Sequence, residues 1–429
     1  MSHPKHSSLK SQAFGGNRTQ RVSAGAGCPG VQARITCTPQ IVNLKETYSN
    51  FDTLHLSVYA DITNSDLLKE IDKGRMLARE YEKESMPFTF FSPQWNVHRS
   101  GRRFFTYHIS MADTHVFFNE RSVNGTFPTC LIEIGSISAH QGVDKIYNEI
   151  VGFLKSVGVS IRKYYISRVD LSTDFVGLSL EDFDLDNMKK WNTRANHRSV
   201  HYSGCQMSGI SIGKGDLMAR IYNKRKEMID KKAFHKTEFF NRLWGEKPDS
   251  SVDVIRVEFQ FRREVLKEFK TGDDAFQVDT LSDLYQCLDG IWAYCTKSWL
   301  KHCETEIDRK NNNHSQAKIS QFWALVQSVT FDISKTGSGT IARVRKKPDY
   351  MDVQGIIDQG VGCMITAVAC RFEDRTDYNF KRLVSQATFE LQKRLHHYFE
   401  FEMDKLTEKV RRVFNSNNFN PLDERFDYA

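Results

Sequence analysis

One tyrosine lies between cations in a strand-like stretch, Ser208 to Glu227, with the sequence SGISIGKGDLMARIYNKRKE. The apolar alternation predicts a strand, a turn at Gly213–Asp216, and a second strand that ends at Lys224. Because side chains alternate between the two faces of a strand, Arg220, Tyr222 and Lys224 would share one face. Nearby cations favour the phenolate over the phenol, whose pKa is ordinarily about 10. The pattern indicates a tyrosine that can attack a phosphodiester.

Two further strand-like segments, SRVDLSTDF and VIRVEFQFRR, carry acids and cations on one face and apolar residues on the other. Aspartate is disfavoured inside strands, so two aspartates in one strand indicate a function. An antiparallel sheet can leave one face open to solvent, and we expect this polar face to be the exposed one. Taken singly, each strand instead favours a solvated face with cross-strand ion pairs. The polar face comprises Arg168, Asp170, Ser172 and Asp174 in the first segment, and Arg256, Glu258, Gln260 and Arg262 in the second.

The acids of this face suit a hard divalent cation, because carboxylate oxygens are the ligands that Mg²⁺ or Mn²⁺ prefers. Such an ion polarises a scissile phosphate and offsets charge in the transition state. Attack by Tyr222 would leave a 5′-phosphotyrosyl DNA and a free 3′-hydroxyl. The covalent bond conserves the energy of the phosphodiester, so rejoining would need no ATP.

Composition is consistent with a mildly basic globular protein. The chain has 429 residues, a formal net charge of +7 and 40% hydrophobic residues, which favours two domains and an anionic partner. Its nine cysteines are odd in number and form no Cys-x-x-Cys pair, so neither a zinc ribbon nor a disulfide framework is indicated, and a reducing cytoplasm fits best. No signal peptide is visible, and the most apolar stretch, around Gly360–Cys370, is too short to span a membrane.

The order of patterns predicts an α+β fold in which an antiparallel sheet is backed by helices, followed by a helical C-terminal region. We expect a disordered basic extension over residues 1–48, a sheet-containing domain over 49–272, and a mainly helical domain over 273–429 for packing or DNA recognition. The long last helix, about 380–414, has one apolar face that indicates packing, with homodimerisation as the alternative. Further helices are expected at 64–84, 141–157, 226–244, 280–302, 315–330 and 352–371, and no internal repeat is visible.

Three blocks in this order resemble the replication initiation factor family, which includes rolling-circle plasmid initiators, relaxases of integrative conjugative elements and filamentous-phage replication proteins. ISRVDLSTDF is similar to the family's strand with an arginine and two spaced aspartates. IGKGDLMARIYNKRKE resembles its glycine turn followed by Arg-Ile-Tyr-x-Lys, and VIRVEFQFRR resembles its Arg-Val-Glu strand. The resemblance lies within about 160–265 and implies a fold similar to the tyrosine endonucleases of the HUH type, without their His-hydrophobic-His pair.

The resemblance also implies roles for single residues. Tyr222 matches the nicking tyrosine, and Asp170 and Glu258 match the acids that hold the metal. Asp174 would either complete the metal shell or orient Arg168. Some members carry a second glutamate where this chain has Gln260. The histidines His108, His115, His197 and His201 are isolated along the chain, and we expect structural or surface roles for them.

Basic residues near the tyrosine are candidates for contacts with DNA phosphates, with solvated surface charge as the alternative. They are Lys214, Arg225 and Lys226, together with Arg262 and Arg263 at the end of the neighbouring strand. The partner implied is origin DNA, single-stranded or in a hairpin, in a bacterial cytoplasm and without a membrane. A replication initiator would also meet a host helicase and polymerase.

Two alternatives remain open from the sequence. A conjugative relaxase would make the same nick but would meet a secretion coupling protein. A non-enzymatic phage or plasmid regulator would use Tyr222 only for stacking or packing.

Overall fold

The computed structural model describes residues 43–88, 95–102, 104–119, 127–271, 277–308, 316–331, 341–344, 353–369 and 380–404. The chain divides into two compact units, residues 1–344 and 345–429. Most of the extension expected at 1–48 lies outside the described residues, but its last residues belong to the first strand, which begins at Glu46. The part of the last helix expected beyond residue 404 also lies outside them.

An antiparallel sheet of eleven strands forms the centre of the first unit. Its spatial order is β2-β3-β4-β5-β6-β1-β7-β12-β11-β10-β9. The bounds are β1 (Glu46–Ile62), β2 (Ser85–Phe88), β3 (Trp95–His98), β4 (Tyr107–Met111), β5 (Thr114–Phe118), β6 (Cys130–Ile134), β7 (Val159–Val176), β9 (Arg198–Ser203), β10 (Gln206–Lys214), β11 (Leu217–Asn223) and β12 (Val254–Arg262). Two small sheets pair β8 (Trp191–Thr193) with β14 (Leu300–His302), and β13 (Phe269–Thr271) with β15 (Ile341–Arg343).

The order of strands repeats about the contact between β1 and β7. On one side β1 is followed by β6, β5, β4, β3 and β2, and on the other side β7 is followed by β12, β11, β10 and β9. Each half is therefore a long strand beside an antiparallel meander, which has five strands in the first half and four in the second. This repetition of topology is not visible in the sequence, because the two halves share strand order rather than residues.

Helices cover both faces of the sheet. The first unit contains α1 (Ser65–Glu80), α2 (Ser136–His140), α3 (Val143–Ser156), α4 (Lys224–Asp230), α5 (Phe234–Leu243), α6 (Arg263–Leu266), α7 (Leu281–Ala293) and α8 (Gln321–Gln327). The second unit contains α9 (Val353–Ala369) and α10 (Phe380–Phe401). The fold class predicted from the sequence, an antiparallel sheet backed by helices with a helical C-terminal region, is confirmed.

The amphipathic stripe predicted after residue 143 forms α3, which buries Val143, Ile146, Ile150 and Leu154. The helix predicted at 280–302 is shorter, because α7 ends at Ala293 and a π-helical turn over Tyr294–Trp299 leads into β14. Thr280 caps α7 by accepting a hydrogen bond from the backbone of Asp283, as a capping box requires.

The apolar face of the central strands packs against the helices that follow residue 272. Phe259 of β12 contacts Trp292 and Trp299, with ring centroids 5.1 and 6.2 Å apart. Phe175 of β7 lies 5.8 Å from Phe322 of α8. Helices α7 and α8 therefore complete the core of the sheet, and the first compact unit extends to Val344.

Candidate active site on the polar face of the sheet

The polar residues of the three strand motifs lie side by side on β11, β12 and β7. These strands are neighbours, and their register aligns the residues in rows across the sheet. Alternation puts the polar residues of each strand on one face, and the register of the three strands brings those faces side by side. The rows are Arg220–Glu258–Ser172, Tyr222–Arg256–Asp174 and Met218–Gln260–Asp170.

This polar face is buried, so the expectation of an exposed face was wrong. Asp170, Asp174 and Arg256 are each only 1% exposed. Helix α5 accounts for part of the cover: Trp244, next to its last residue, donates from Nε1 to Asp174 Oδ2 at 3.0 Å, and the Phe240 ring lies 4.9 Å from the Arg256 guanidinium. These aromatic side chains exclude water from the face that they cover. The charged groups of that face are therefore paired with one another rather than hydrated.

Tyr222 is half-buried and is hydrogen-bonded to an acid rather than to a cation. Its hydroxyl donates to Glu258 Oε2 at 2.9 Å. Arg220 donates to Glu258 Oε1 at 2.6 Å and to Gln260 Oε1 at 2.9 Å. Glu258 is thereby held between the phenol and the guanidinium, in a position to accept the phenolic proton.

The pKa of Tyr222 is raised well above its ordinary value, first by burial and next by the charge of Glu258. Arg256 acts in the opposite direction but does not outweigh them. The expectation that neighbouring cations favour the phenolate is therefore wrong for the protein without ligands. Tyr222 keeps its proton at neutral pH and needs a base to attack.

Lys224 does not belong to the strand, which ends at Asn223. It begins α4, where the Asn223 side chain caps the helix by accepting from the backbone of Lys226 at 3.0 Å. Its ammonium is buried between Glu227, at 3.1 Å, and the ring of Tyr222, at 5.6 Å from the centroid. Burial lowers the pKa of Lys224. Lys224 is therefore near Tyr222 as predicted, but its position is set by the first turn of α4 and not by alternation along β11.

A β-bulge brings a further acid, Asp52, to the polar face. The register of β1 against β7 shifts between Phe51 and Thr53, which leaves Asp52 as the extra residue. It pairs with Arg256 and lies 3.9 Å from Lys224. Burial raises its pKa, but these two cations outweigh burial and bring it to about 2. The sequence carries no signal for this residue, because a bulge is set by pairing with another strand.

Asp170 is the acid of this face whose pKa lies closest to neutral pH. Burial, together with the charge of Glu258, raises its pKa to about 7 against the opposing effect of Arg168. Arg168 Nε donates to Asp170 Oδ1 at 2.9 Å, and a second contact joins Nη2 to Oδ2. Two buried carboxylates that disfavour each other's charge fit a divalent cation, since a bound cation would stabilise both as anions.

Asp174, expected as a third metal ligand or as a partner of Arg168, is engaged elsewhere. Arg256 donates to both of its oxygens, from Nε at 2.6 Å and from Nη2 at 2.7 Å. Trp244 also donates to Oδ2, so neighbouring donors engage both oxygens of Asp174. Arg168 contacts both oxygens of Asp170 in the same way, and a role for Asp174 in holding a metal stays a prediction.

The predicted DNA contacts divide by exposure. Lys214 and Arg262 are exposed. Arg263 is half-buried, pairs with Asp279 and lies over the Tyr165 ring at 4.9 Å. Lys226 is half-buried and donates to Gln206 at 3.1 Å. Arg225 is buried and donates to the Val252 carbonyl and to Asn241, both at 2.6 Å, so a structural role replaces the predicted DNA contact.

Three histidines meet on β3, β4 and β5, although the sequence indicated isolated histidines. His108 Nε2 lies 2.9 Å from His115 Nδ1, and the rings of His98 and His108 stack at 3.6 Å. Their nitrogen atoms all lie within 4.8 Å of one another. Burial lowers the pKa of each, that of His108 to about 3. The sequence did not predict this cluster, because alternation within each strand does not reveal the register between β3, β4 and β5.

No protein-family model matches this chain, and no curated protein matches it. Among solved structures, it is similar to the rolling circle replication initiator protein from Geobacillus stearothermophilus, with 13% sequence identity and a TM-score of 0.36. The match covers 70% of this chain and 100% of that chain. A likeness this distant carries no argument about function. Within the described ranges, no helix combines the length and apolar character needed to cross a membrane.

Proposed function

We propose that this protein initiates rolling-circle replication by nicking one strand of origin DNA and rejoining it through a covalent 5′-phosphotyrosyl intermediate. The observation that carries the proposal is the hydrogen bond from the Tyr222 hydroxyl to Glu258, on the same sheet face as Asp170. A phenol, its proton acceptor and a second acid lie on three adjacent strands. The resemblance of the three sequence blocks to replication initiators supports the same chemistry.

In this mechanism Tyr222 Oη attacks the phosphorus of the scissile phosphodiester. The phenolic proton passes to Glu258 Oε2, and the bond from phosphorus to the 3′-oxygen breaks as the bond to Tyr222 forms. The proton then goes to the departing 3′-oxygen, which leaves a free 3′-hydroxyl and a 5′-phosphotyrosine. Because the Tyr222 pKa is raised, the base at 2.9 Å is essential to this step. The reverse sequence rejoins the strand.

Asp170 and Glu258 would hold Mg²⁺ or Mn²⁺, which when bound supplies Lewis-acid stabilisation of the phosphate oxygens. Arg220, whose side chain is 30% exposed, is a cation of the face that a phosphate can reach. Its contact with Glu258 would compete with a metal at Oε1, so we expect Arg220 to turn towards the phosphate when metal and DNA bind. Lys214 and Arg262, both exposed, would hold flanking phosphates.

A conjugative relaxase would use the same residues, and only its partners would differ. The burial of the polar face and the raised pKa of Tyr222 favour a second candidate, a non-enzymatic DNA-binding regulator. In such a protein the Tyr222–Glu258 contact would only stabilise the sheet.

The test uses the full chain with labelled single strands that tile the DNA flanking its gene, in Mn²⁺ and in EDTA. We expect a nick and a DNA adduct that survives denaturation in Mn²⁺ only, with the adduct mapping to the Tyr222 peptide. Tyr222→Phe should give neither product. Tyr202→Phe is the matched control, because Tyr202 lies in the same half of the sheet but is 58% exposed on β9.

DNA binding without any adduct on the whole tiled set would refute the nuclease and favour the regulator. Normal nicking by Tyr222→Phe would refute the assignment of the nucleophile. A nick and adduct that persist in EDTA would remove the metal from the mechanism.

A further inference from the structure

A second chemically distinct cluster lies in the first half of the sheet. His98 on β3, His108 on β4 and His115 on β5 place their nitrogen atoms within 4.8 Å of one another. All three are half-buried, so the cluster has protein on one side and access for a small ion on the other. Among the described residues, it is the group of histidines, cysteines and acids whose ligand atoms converge most closely on one point.

The register of the strands explains why these residues meet. In the β4–β5 hairpin, His108 is opposite Phe117 and Ser110 is opposite His115, so the two histidines are diagonal neighbours on one face. Asn96 of β3 is opposite Ser110, which places His98 at the other side of His108. Diagonal neighbours in antiparallel strands are within reach of long or aromatic side chains. The arrangement is therefore fixed by three strands rather than by a mobile loop.

The neighbours of the cluster hold the rings in place. Ser110 Oγ lies 2.8 Å from His98 Nε2, and the Phe117 ring stacks on His108 at 4.2 Å. The hydroxyl partner engages one nitrogen of His98 and leaves the other for a ligand. The His98 and His108 rings stack with only 13° between their planes, so one of them must turn to direct its nitrogen at an ion shared with the other. His108 Nε2 and His115 Nδ1 are 2.9 Å apart, a hydrogen-bond distance. Two tetrahedral ligands with bonds of about 2.0–2.1 Å lie about 3.4 Å apart, so a bound ion would replace this hydrogen bond and separate the two nitrogens slightly.

We propose that His98, His108 and His115 bind one divalent transition metal ion of the Zn²⁺ class. Imidazole nitrogen selects Zn²⁺, Cu²⁺ or Ni²⁺ over Mg²⁺ and Ca²⁺, which prefer oxygen. Glu133, opposite His115 on β6, is not the fourth ligand, because it pairs with Arg102 and with His55 at 3.2 Å. Three protein ligands leave the fourth position of a tetrahedral ion to solvent.

The site is separate from the Tyr222 face and does not rest on the proposed function. β5 and β11 are five strand steps apart in the sheet, on the order of 24 Å at about 4.8 Å per step. In the repeated topology, His115 lies opposite Glu133 as Arg220 lies opposite Glu258. The two halves of the sheet thus carry different groups at corresponding positions, imidazoles in one half and a phenol with acids in the other.

The test is metal binding by the untagged, metal-free full chain, titrated with Zn²⁺ by calorimetry and with Co²⁺ by visible absorption. We expect one tight site per chain, with ligand-field bands of Co²⁺ bound to nitrogen and no thiolate charge-transfer band. His108→Asn should weaken binding by at least about tenfold, since even groups that only hydrogen-bond to metal ligands contribute about 10–100-fold. His235→Asn is the matched control, because His235 is exposed on α5, and this variant should bind Zn²⁺ as the unmodified chain does.

Equal Zn²⁺ binding by His108→Asn and His235→Asn would overturn the proposal, as would absence of a tight site in the unmodified chain. A thiolate band would instead assign the ion to cysteine. Should His108→Asn fail to fold by circular dichroism, His98→Gln and His115→Gln provide the same comparison. Tyr222→Phe and Asp170→Asn should leave Zn²⁺ binding unchanged, which separates this result from the outcome of the nicking assay.

Discussion

Arg256 is the residue on which the stability of the polar face depends most. Its guanidinium is 1% exposed and donates to both oxygens of Asp174, at 2.6 and 2.7 Å, and to Asp52. Arg256→Met removes the cation and leaves the buried Asp174 and the half-buried Asp52 carboxylates on the same face. Breaking a buried ion pair by removing one partner costs about 3–5 kcal/mol, because the remaining charge stays desolvated.

Two contacts reduce this cost. Trp244 still donates to Asp174, and Lys224 still lies 3.9 Å from Asp52, so we expect the lower end, about 3 kcal/mol. For a unit of this size, about 2 °C of melting temperature corresponds to each kcal/mol, which predicts a decrease of about 6 °C. Thermal melting followed by circular dichroism measures it directly.

Arg242→Met is the matched control. Arg242 pairs with Glu238 four residues earlier on α5, and both side chains are more than 70% exposed. A surface pair of this kind contributes at most about 0.5 kcal/mol, so its melting temperature should change by about 1 °C or less. Equal melting temperatures for the two variants would refute the assignment of Arg256 as the central cation. A double variant, Arg256→Met with Asp174→Leu, should recover part of the loss, because it removes one orphaned charge.

Two further predictions concern a glycine beside the nucleophile and a buried histidine. Gly209→Ala should destabilise the sheet by about 1–3 kcal/mol and weaken nicking, because the added Cβ would lie 2.6 Å from Tyr222 Cβ. The control is Gly152→Ala in α3, where the added Cβ meets nothing within 4 Å, and it should stabilise the protein by about 0.5–1 kcal/mol. Equal unfolding midpoints for the two variants would contradict this prediction. His302, buried beside the Asp184 carbonyl, has its pKa lowered to about 4 by burial, against about 6.5 unfolded, so about 3 kcal/mol of stability present above pH 6.5 should be lost as the pH falls to 4. His302→Phe should flatten that part of the pH dependence in urea unfolding, and an unchanged slope would exclude His302 as its source.

Alternation along strands was sufficient to place the chemistry-bearing residues on a common face. Arg220 and Tyr222 in β11, and Glu258 in β12, lie on one face as predicted, because side-chain direction in a strand follows from sequence position alone. A second local rule, the helical period of apolar residues, predicted α3 from its apolar stripe. Lys224 was misplaced because alternation does not reveal where a strand ends and a helix begins.

Burial of that face was decided by tertiary structure. Helix α5 covers Asp174 and Arg256 with Trp244 and Phe240, and no local pattern states which sheet face a helix will cover. The pKa of Tyr222 is raised for the same reason, since desolvation depends on the cover and not on the strand. The predicted phenolate was wrong because the sequence showed which cations are near Tyr222 but not how deeply the phenol is buried.

The sequence by itself determined the classes of element, the polar rows of the three motif strands and the chemical types present on them. Only the folded chain decided which strands became neighbours, and with them the bulge that presents Asp52 and the register that joins His98, His108 and His115. Local alternation is a property of consecutive residues. Pairing between strands depends on the packing of the whole sheet, so it cannot be read from any one stretch of consecutive residues.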